Sequence, residues 1–187
     1  SIMSKDDTYY IHPSVILRDS PISGKGLVAT SFIKKGELFW KDEQYLKGGN
    51  RVHILTRQQI RDKGPELEKQ FLHHAFQIDE EIFAYRDSEE TLVDIAYFQN
   101  HSCNPNTWFI SLTEMEFCRD VQPGEEITYD YATSETSEEE VLEECQCGTD
   151  DCRKVIRGDD YKLEHVQKKY GIEHFLPYIQ KRILNNK

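Results

Sequence analysis

Three short segments of this chain carry side chains whose types and spacing could do chemistry. Residues 97–106 read Tyr-Phe-Gln-Asn-His-Ser-Cys-Asn-Pro-Asn and set an amide, an imidazole and a thiol close together. Residues 124–131 read Gly-Glu-Glu-Ile-Thr-Tyr-Asp-Tyr, so that two tyrosines flank one carboxylate. The third segment holds Cys145, Cys147 and Cys152 in a C-x-C-x4-C pattern. Taken alone, the first segment is also typical of a polar turn between strands.

The cysteine pattern predicts a metal site. Cys145, Cys147 and Cys152 offer three closely spaced thiolates, and a closed structural zinc site takes four ligands in a tetrahedron. The chain has five cysteines, whereas a secreted disulfide framework uses an even set spread through a shorter chain. Metal binding in a reducing compartment is therefore favoured, with unrelated thiols on one loop as the alternative. Cys118 is predicted to be a small buried apolar side chain.

Mostly short strands are predicted to position these segments. Residues 9–45 break into short apolar runs separated by glycine and proline, which indicates a meander of β-strands. The period changes over residues 55–74, where Thr56 is a candidate helix cap and Gly64-Pro65 interrupts the helix. The other predicted elements are strands over 75–78, 81–85, 107–112 and 114–121, a glutamate-rich solvated linker or polar helix over 134–144, and two helices parted at Gly171 and Pro177.

The three segments together resemble the SET-domain protein lysine methyltransferases. The hallmarks of that family are N-H-S-C-x-P-N, G-E-E-(L/I)-T-Y-D-Y and a cysteine-rich post-SET tail, and an opening G-x-G element is matched by residues 24–29. The blocks follow the family's order from residue 24 to residue 152. Two positions depart from the family pattern: Tyr97 stands where an arginine is frequent, and Lys154 follows Arg153 where glycine is usual.

The resemblance implies a fold and a division of the chain. The expected class is mainly β with α, a SET-domain β-clip fold of small curved sheets with a pseudoknot, a helical insert and C-terminal helices. The expected units are a SET domain over residues 1–132 with its insert at about 46–74, an acidic linker over 133–144, and a post-SET zinc tail with C-terminal helices over 145–187. In the implied pseudoknot, the chain near Tyr129–Tyr131 passes through the segment around Asn100, a threading that is rare among folds.

The resemblance also assigns roles to residues. It implies that S-adenosylmethionine is bound by a set of five residues: Lys25, Gly26, Asn100, His101 and Tyr131. Glycine suits this place because the backbone of a residue without a Cβ can approach a ligand closely. Cys103 is implied as the fourth ligand of a structural Zn²⁺ that Cys145, Cys147 and Cys152 also bind.

The implied reaction moves a methyl group from a sulfonium to a lysine amine. A free lysine has a pKa near 10.4, and a narrow apolar channel beside a positive sulfonium favours the neutral, nucleophilic amine. Tyr131 matches the family's catalytic tyrosine, whose hydroxyl orients the amine by positioning and electrostatics. Tyr129 is the second catalytic position, where a hydroxyl limits the room for added methyl groups. Mono- or dimethylation of lysine is therefore expected.

Composition narrows the choice of partners. The net charge of −11 argues against direct nucleic-acid binding, which needs a basic face, and an acidic surface suits a basic protein or peptide, with a histone tail as the leading candidate. No run of about 18 apolar residues occurs, so no membrane span is expected, and an intracellular protein of the nucleus or cytoplasm is predicted. The oligomeric state stays open. Two alternatives remain: a catalytically silent SET-like module that binds partners, and a zinc-stabilised interaction domain unrelated to SET proteins.

Overall fold

The structure, a computed structural model, describes residues 9–48, 52–86, 95–138 and 140–186. The strands in this part of the chain are short: β1 Tyr9–Ile11, β2 Val15–Asp19, β3 Lys25–Ala29, β4 Leu38–Asp42, β5 Val52–Thr56, β6 Phe76–Asp79, β7 Ile82–Arg86, β8 Asn100–His101, β9 Thr107–Ser111, β10 Glu114–Phe117, β11 Glu126–Tyr129, β12 Glu140–Leu142 and β13 Ile156–Arg157. The α-helices are α1 Gln44–Lys47, α2 Arg57–Arg61, α3 Pro65–His74, α4 Glu164–Tyr170 and α5 Pro177–Leu184.

The strands form small separate sheets rather than one large one. Their orders are β1-β4-β10-β9, β2-β3-β11-β8, β5-β7-β6 and the pair β12-β13. The short strands predicted over residues 9–45 are confirmed as β1 to β4, but they do not form a meander, because β1 pairs with β4 and β2 pairs with β3 in two different sheets. The predicted hairpin after residue 107 is confirmed as β9 and β10. The predicted class, mainly β with α, is confirmed.

The helices begin and end where local chemistry requires. Thr56 caps α2 through a capping box with Gln59, which satisfies two backbone N–H groups that the first turn leaves without partners. Gly64 separates α2 from α3 with a φ of 91°, and Pro65 starts α3, a position where its missing N–H costs nothing. At the C-terminal end, the predicted helices are confirmed as α4 and α5.

The interrupted helix predicted over residues 55–74 is confirmed as α2 and α3, and within the expected insert at about 46–74 residues 52–56 also form β5, which pairs along its length with β7. One sequence prediction is corrected by the structure. The stretch 133–144 is not a uniformly solvated linker. Thr133 and Ser134 are buried, and residues 140–142 pair with β13. Glutamate content describes average polarity, whereas these positions are ordered by backbone pairing that composition does not encode.

One apolar cluster joins the strands to the C-terminal helices. Side chains from β2 to β4 and β9 to β11 pack in it with Val166 and Tyr170 of α4 and Tyr178 and Ile179 of α5. A smaller cluster surrounds Ile156 and the cysteines of the tail. Within the described residues, no helix has both the length and the apolar character required to cross a membrane.

Candidate active site and metal centre

The two motif segments meet in the sheet formed by β2, β3, β11 and β8. The short strand β8 pairs in parallel with β11, with Asn100 opposite Thr128 and His101 opposite Tyr129. The pairing continues when Ser102 N donates to Tyr129 O at 3.1 Å. Parallel neighbours cannot be joined by a tight turn, so the chain between them leaves the sheet and returns. The predicted approach of the Asn-His segment to the Tyr-Asp-Tyr segment is therefore confirmed.

Asn106 fixes this crossing, a role that the sequence analysis missed. Its side chain accepts a hydrogen bond from Thr128 N at 2.9 Å and donates to Glu126 O at 2.8 Å. Asn106 is only 1% exposed, and both of its bonds replace backbone partners that β11 would otherwise lack. The neighbouring Thr107 adds a hydrogen bond from its hydroxyl to Thr128 O at 2.8 Å. The final Asn of the N-H-S-C-N-P-N segment was the signal that could have identified it.

Tyr131 is held at three points. Its backbone N–H donates to His101 Nδ1 at 3.0 Å, and its hydroxyl donates to Gln99 O at 3.2 Å. Its ring lies 5.0 Å from the ring of Tyr129, centroid to centroid. Burial raises the pKa of Tyr131 above its usual value, so the phenol keeps its proton at neutral pH. The Tyr131 hydroxyl is therefore a fixed neutral group beside the strand crossing.

Asn100 connects the crossing to the turn before β3. Its Nδ2 lies within hydrogen-bond distance of four acceptors: Ser20 Oγ at 3.1 Å, Ser23 O at 3.1 Å, Lys25 O at 3.0 Å and Glu126 Oε2 at 2.9 Å. A side-chain amide has two N–H hydrogens, so the acceptors here outnumber the donors that Asn100 supplies. A ligand with a positive charge and N–H donors would provide partners for the remaining hydrogen-bond acceptors.

Gly26 lies against the same group. A Cβ at this position would come within 2.6 Å of Glu126 Oε2 and 3.0 Å of Asn100 Nδ2, which is closer than real side chains approach. Glycine at this position lets β3 pack closely against Asn100 and Glu126, and a larger residue would displace the Glu126 carboxylate. The structure brings the predicted cofactor residues Lys25, Gly26 and Asn100 together here.

The four predicted metal ligands also converge. The Sγ atoms of Cys103, Cys145, Cys147 and Cys152 all lie within 4.8 Å of one another. Burial raises the pKa of Cys103 and Cys145, because buried thiolates so close together are costly. A Zn²⁺ ion removes that cost and takes four thiolates tetrahedrally, so the residues fit a closed structural zinc site. Cys118 lies outside the cluster and is half-buried, with its Sγ 3.5 Å from Pro105 O.

His101 links the cysteine cluster to the tyrosine strand. Its Nδ1 accepts the Tyr131 N–H, so the ring proton resides on Nε2, which lies 3.3 Å from Cys103 Sγ. Burial lowers the pKa of His101 to about 4, which keeps the imidazole neutral. An N–H donor directed at a metal-binding sulfur is the kind of outer contact that orients a ligand.

A buried charge network, also missed by the sequence analysis, fastens the cysteine tail to the tyrosine strand. Arg153 donates to both carboxylate oxygens of Asp130, at 2.7 and 2.8 Å, and its Nε donates to Asp160 at 3.0 Å. Tyr170 of α4 donates to Asp130 at 2.7 Å. Burial opposes ionisation of Asp130, but the Arg153 guanidinium outweighs it and lowers the pKa of that carboxyl.

Comparison with known proteins places the chain in a family. It is 28% identical to the histone-lysine N-methyltransferase Su(var)3-9 of Drosophila melanogaster over 77% of this chain and 25% of that protein. It is 32% identical to the histone-lysine N-methyltransferase trr of the same organism over 75% of this chain and 6% of that protein. The chain thus spans a quarter or less of the length of these relatives.

Among solved structures, the crystal structure of KRYPTONITE in complex with mCHG DNA and SAH matches with a TM-score of 0.49 and 19% identity. The match covers 75% of this chain and 28% of that one. The model of the SET domain family matches residues 24–132, which hold both the Asn-His segment and the Tyr-Asp-Tyr strand. The chain belongs to the SET domain family.

Proposed function

We propose that this protein is an S-adenosylmethionine-dependent protein lysine N-methyltransferase. The observation that carries the proposal is the parallel pairing of β8 with β11 in a SET domain, which sets His101 opposite Tyr129 and within hydrogen-bond distance of Tyr131 N. The similarity to proteins named histone-lysine N-methyltransferases supports the same reaction.

The cofactor residues suit a cationic ligand. When bound, S-adenosylmethionine supplies an electrophilic methyl group on a positively charged sulfur. The surplus of acceptors around Asn100, among them the Glu126 carboxylate and the carbonyl of Lys25, favours a ligand that carries an ammonium group and a sulfonium. Lys25, Gly26, Asn100, His101 and Tyr131 are the residues proposed to hold it.

Tyr131 is proposed to position the lysine amine. The Tyr131 hydroxyl donates its hydrogen to Gln99 O, so the lone pairs of its oxygen remain free to accept a hydrogen bond from the amine. This oxygen aligns the amine but does not act as a base, because burial raises the pKa of Tyr131 and keeps the phenol neutral. Desolvation beside the tyrosine rings would favour the neutral amine, since burial disfavours the charged form of lysine. Alignment and fixed dipoles are the contributions expected of the protein.

Tyr129 is proposed to restrict the product to mono- or dimethyl-lysine. Its ring lies between Phe109, at a centroid distance of 5.7 Å, and Tyr131, at 5.0 Å. A hydroxyl on a ring confined in this way occupies space that a methylated amine would need.

The zinc is proposed to be structural, with Cys103, Cys145, Cys147 and Cys152 as its four ligands. Four protein ligands leave no open position for a reacting group. The ion would hold the tail in place so that Arg153 can contact Asp130 of the tyrosine segment and Cys103 can contact His101.

A basic protein segment is the proposed substrate. The net charge of −11 repels nucleic acid and accelerates the approach of a cationic chain. The histone-lysine methyltransferases among the relatives make a histone tail the first candidate and the nucleus the first place to find the protein.

Incubation of the zinc-loaded protein with methyl-labelled cofactor, purified histones and a cell extract tests this function. Labelled lysine is expected, and Tyr131→Phe should lower the rate by at least about 100-fold, the scale of losing one oriented catalytic group. Tyr85→Phe, which removes a tyrosine hydroxyl on β7, is the matched control and should retain full activity. A wild-type protein that binds the cofactor but labels no lysine would instead be a silent SET-like binding module.

A further inference from the structure

The hydroxyl of Tyr129 is tied to a buried serine. Tyr129 Oη lies 3.1 Å from Ser134 Oγ, and Ser134 is only 1% exposed. A single 3-10 turn over Tyr131–Thr133 reverses the chain after β11, and Ser134 N donates to Tyr131 O at 3.1 Å. The chain thus folds back on its own strand and directs a serine hydroxyl at the phenol.

Ser134 is itself held from the opposite side. Its carbonyl accepts a hydrogen bond from the hydroxyl of Tyr178 in α5 at 3.1 Å. The Tyr178 hydroxyl also lies 3.1 Å from Thr136 Oγ1, which donates to Gln77 Oε1 of β6 at 3.2 Å. Tyr178 is among the largest fully buried side chains of the described residues. Ser134 is therefore a fixed point, set by the C-terminal helix and by β6.

The ring of Tyr129 has little freedom apart from this bond. Phe109 meets it edge to face at an interplanar angle of 84°, and Tyr131 lies against it at 51°. These two aromatic neighbours fix the plane of the Tyr129 ring, whereas the position of the Tyr129 hydroxyl depends on its hydrogen-bond partner. In the described structure that partner is Ser134 Oγ.

We propose that Ser134 limits the number of methyl groups added to lysine by holding the Tyr129 hydroxyl beside the amine. This inference rests on the proposed lysine methyltransferase function and adds to it a positioning residue that acts through Tyr129. A hydroxyl anchored at Ser134 cannot tilt away when the amine gains a methyl group, so the crowded dimethyl and trimethyl states are disfavoured. Without the hydrogen bond to Ser134, the Tyr129 hydroxyl can move away from the amine, and the second and third methylations proceed.

Product analysis of Ser134→Ala tests the role. The ratio of di- and trimethyl product to monomethyl product, measured by mass spectrometry at equal turnover, should rise about fivefold, the equivalent of one neutral hydrogen bond. The change should have the same direction as that of Tyr129→Phe. The double variant should match Tyr129→Phe alone, because Ser134 acts through the hydroxyl which that variant lacks.

Thr133→Val is the matched control. It removes a neighbouring buried hydroxyl that donates to Asp130 O at 2.7 Å, and the product ratio should stay within twofold of wild type. If Ser134→Ala does not fold, Ser134→Cys replaces it with the same expectation, since a thiol is a weak hydrogen-bond partner.

A readout without cofactor or substrate separates this inference from the proposed function. The ¹³Cζ resonance of Tyr129, assigned by its loss in Tyr129→Phe, should shift in Ser134→Ala and not in Thr133→Val. An unchanged product ratio in an active Ser134 variant overturns the role of Ser134 and leaves the methyltransferase function intact. A wild type that transfers no methyl group overturns both, even if the resonance shift reports the hydroxyl contact.

Discussion

Arg153 should be among the side chains most important for stability, although it lies on the cysteine tail. The substitution Arg153→Met keeps most of the aliphatic length and removes the guanidinium. Among the described residues, Asp130, which is 2% exposed, then keeps the Tyr170 hydroxyl and the Ala132 N–H as its hydrogen-bond donors. Asp160 loses the bond from Arg153 Nε as well.

The expected loss is large because one partner of a buried ion pair is removed. Leaving a buried charge uncompensated costs about 3–5 kcal/mol, against a total stability of roughly 5–15 kcal/mol for a domain. For a chain of this size each kcal/mol corresponds to about 2–4 °C, so the melting temperature should fall by roughly 6–20 °C. The measurements are urea unfolding for the free energy and thermal unfolding for the melting temperature, both followed by circular dichroism, with zinc held at one saturating concentration because bound ligand adds to stability.

Two further variants make this test specific. Arg119→Met removes the surface pair with Glu125, whose members are 45% and 34% exposed, and should cost less than about 1 kcal/mol. The double variant Asp130→Asn/Arg153→Met removes both charges and should be more stable than Arg153→Met alone. If Arg153→Met lowers the free energy of unfolding as little as Arg119→Met does, the argument that the buried ion pair holds the cysteine tail against the tyrosine strand is refuted.

Three other perturbations have expected outcomes. Cys103→Ser should lower zinc from one ion per chain to a substoichiometric amount, measured by atomic absorption, while Cys118→Ser should retain the full complement. Gly26→Ala should weaken S-adenosylmethionine binding about tenfold by calorimetry, because its Cβ would displace the Glu126 carboxylate. The protein should lose little stability, since the Glu126 side chain can move. An unchanged affinity for S-adenosylmethionine would contradict the proposed cofactor site. Burial raises the pKa of Glu135 to about 7, above the value near 4.3 expected for the unfolded chain. The proton bound to Glu135 therefore stabilises the fold fully below the unfolded pKa, and this stabilisation is lost as pH rises through 7. Unfolding of wild type and Glu135→Gln from pH 5 to 8.5 should therefore show the variant gaining relative stability as pH rises, and parallel curves would contradict this.

The sequence predicted the site's parts better than the links between them. The short strands, the interrupted helix after Thr56 and the C-terminal helices follow from local periodicity and caps, so they could be located from neighbouring residues, whereas the pairing of β1 with β4 could not. The parallel meeting of Asn100 with the Tyr-Asp-Tyr strand is not local. It was expected because the motifs resemble the SET family, and β8 and β11 confirm it.

The buried network at Asp130 shows why the remaining contacts could not be predicted. Arg153 lies 23 residues from Asp130 in sequence, and Tyr170 lies 40 residues away. Arg153 alone is typical of a solvated surface, and the spacing of Tyr170 indicates the apolar face of a helix, not a carboxylate partner. Only the folded backbone shows that they face one carboxylate. The burial of Ser134 was missed for the same reason, because the glutamates around it dominate the average polarity.

The same contacts indicate that the cysteine tail and the tyrosine strand form one unit. Asp130 stands between Tyr129 and Tyr131, and it binds the residue directly after Cys152. His101 reaches the same strand from Cys103. Removal of zinc by a chelator should therefore disturb the tyrosines and not only the tail, visible as a change in near-ultraviolet circular dichroism that Arg153→Met partly reproduces. Loss of zinc with an unaltered tyrosine spectrum would show that the two regions are independent.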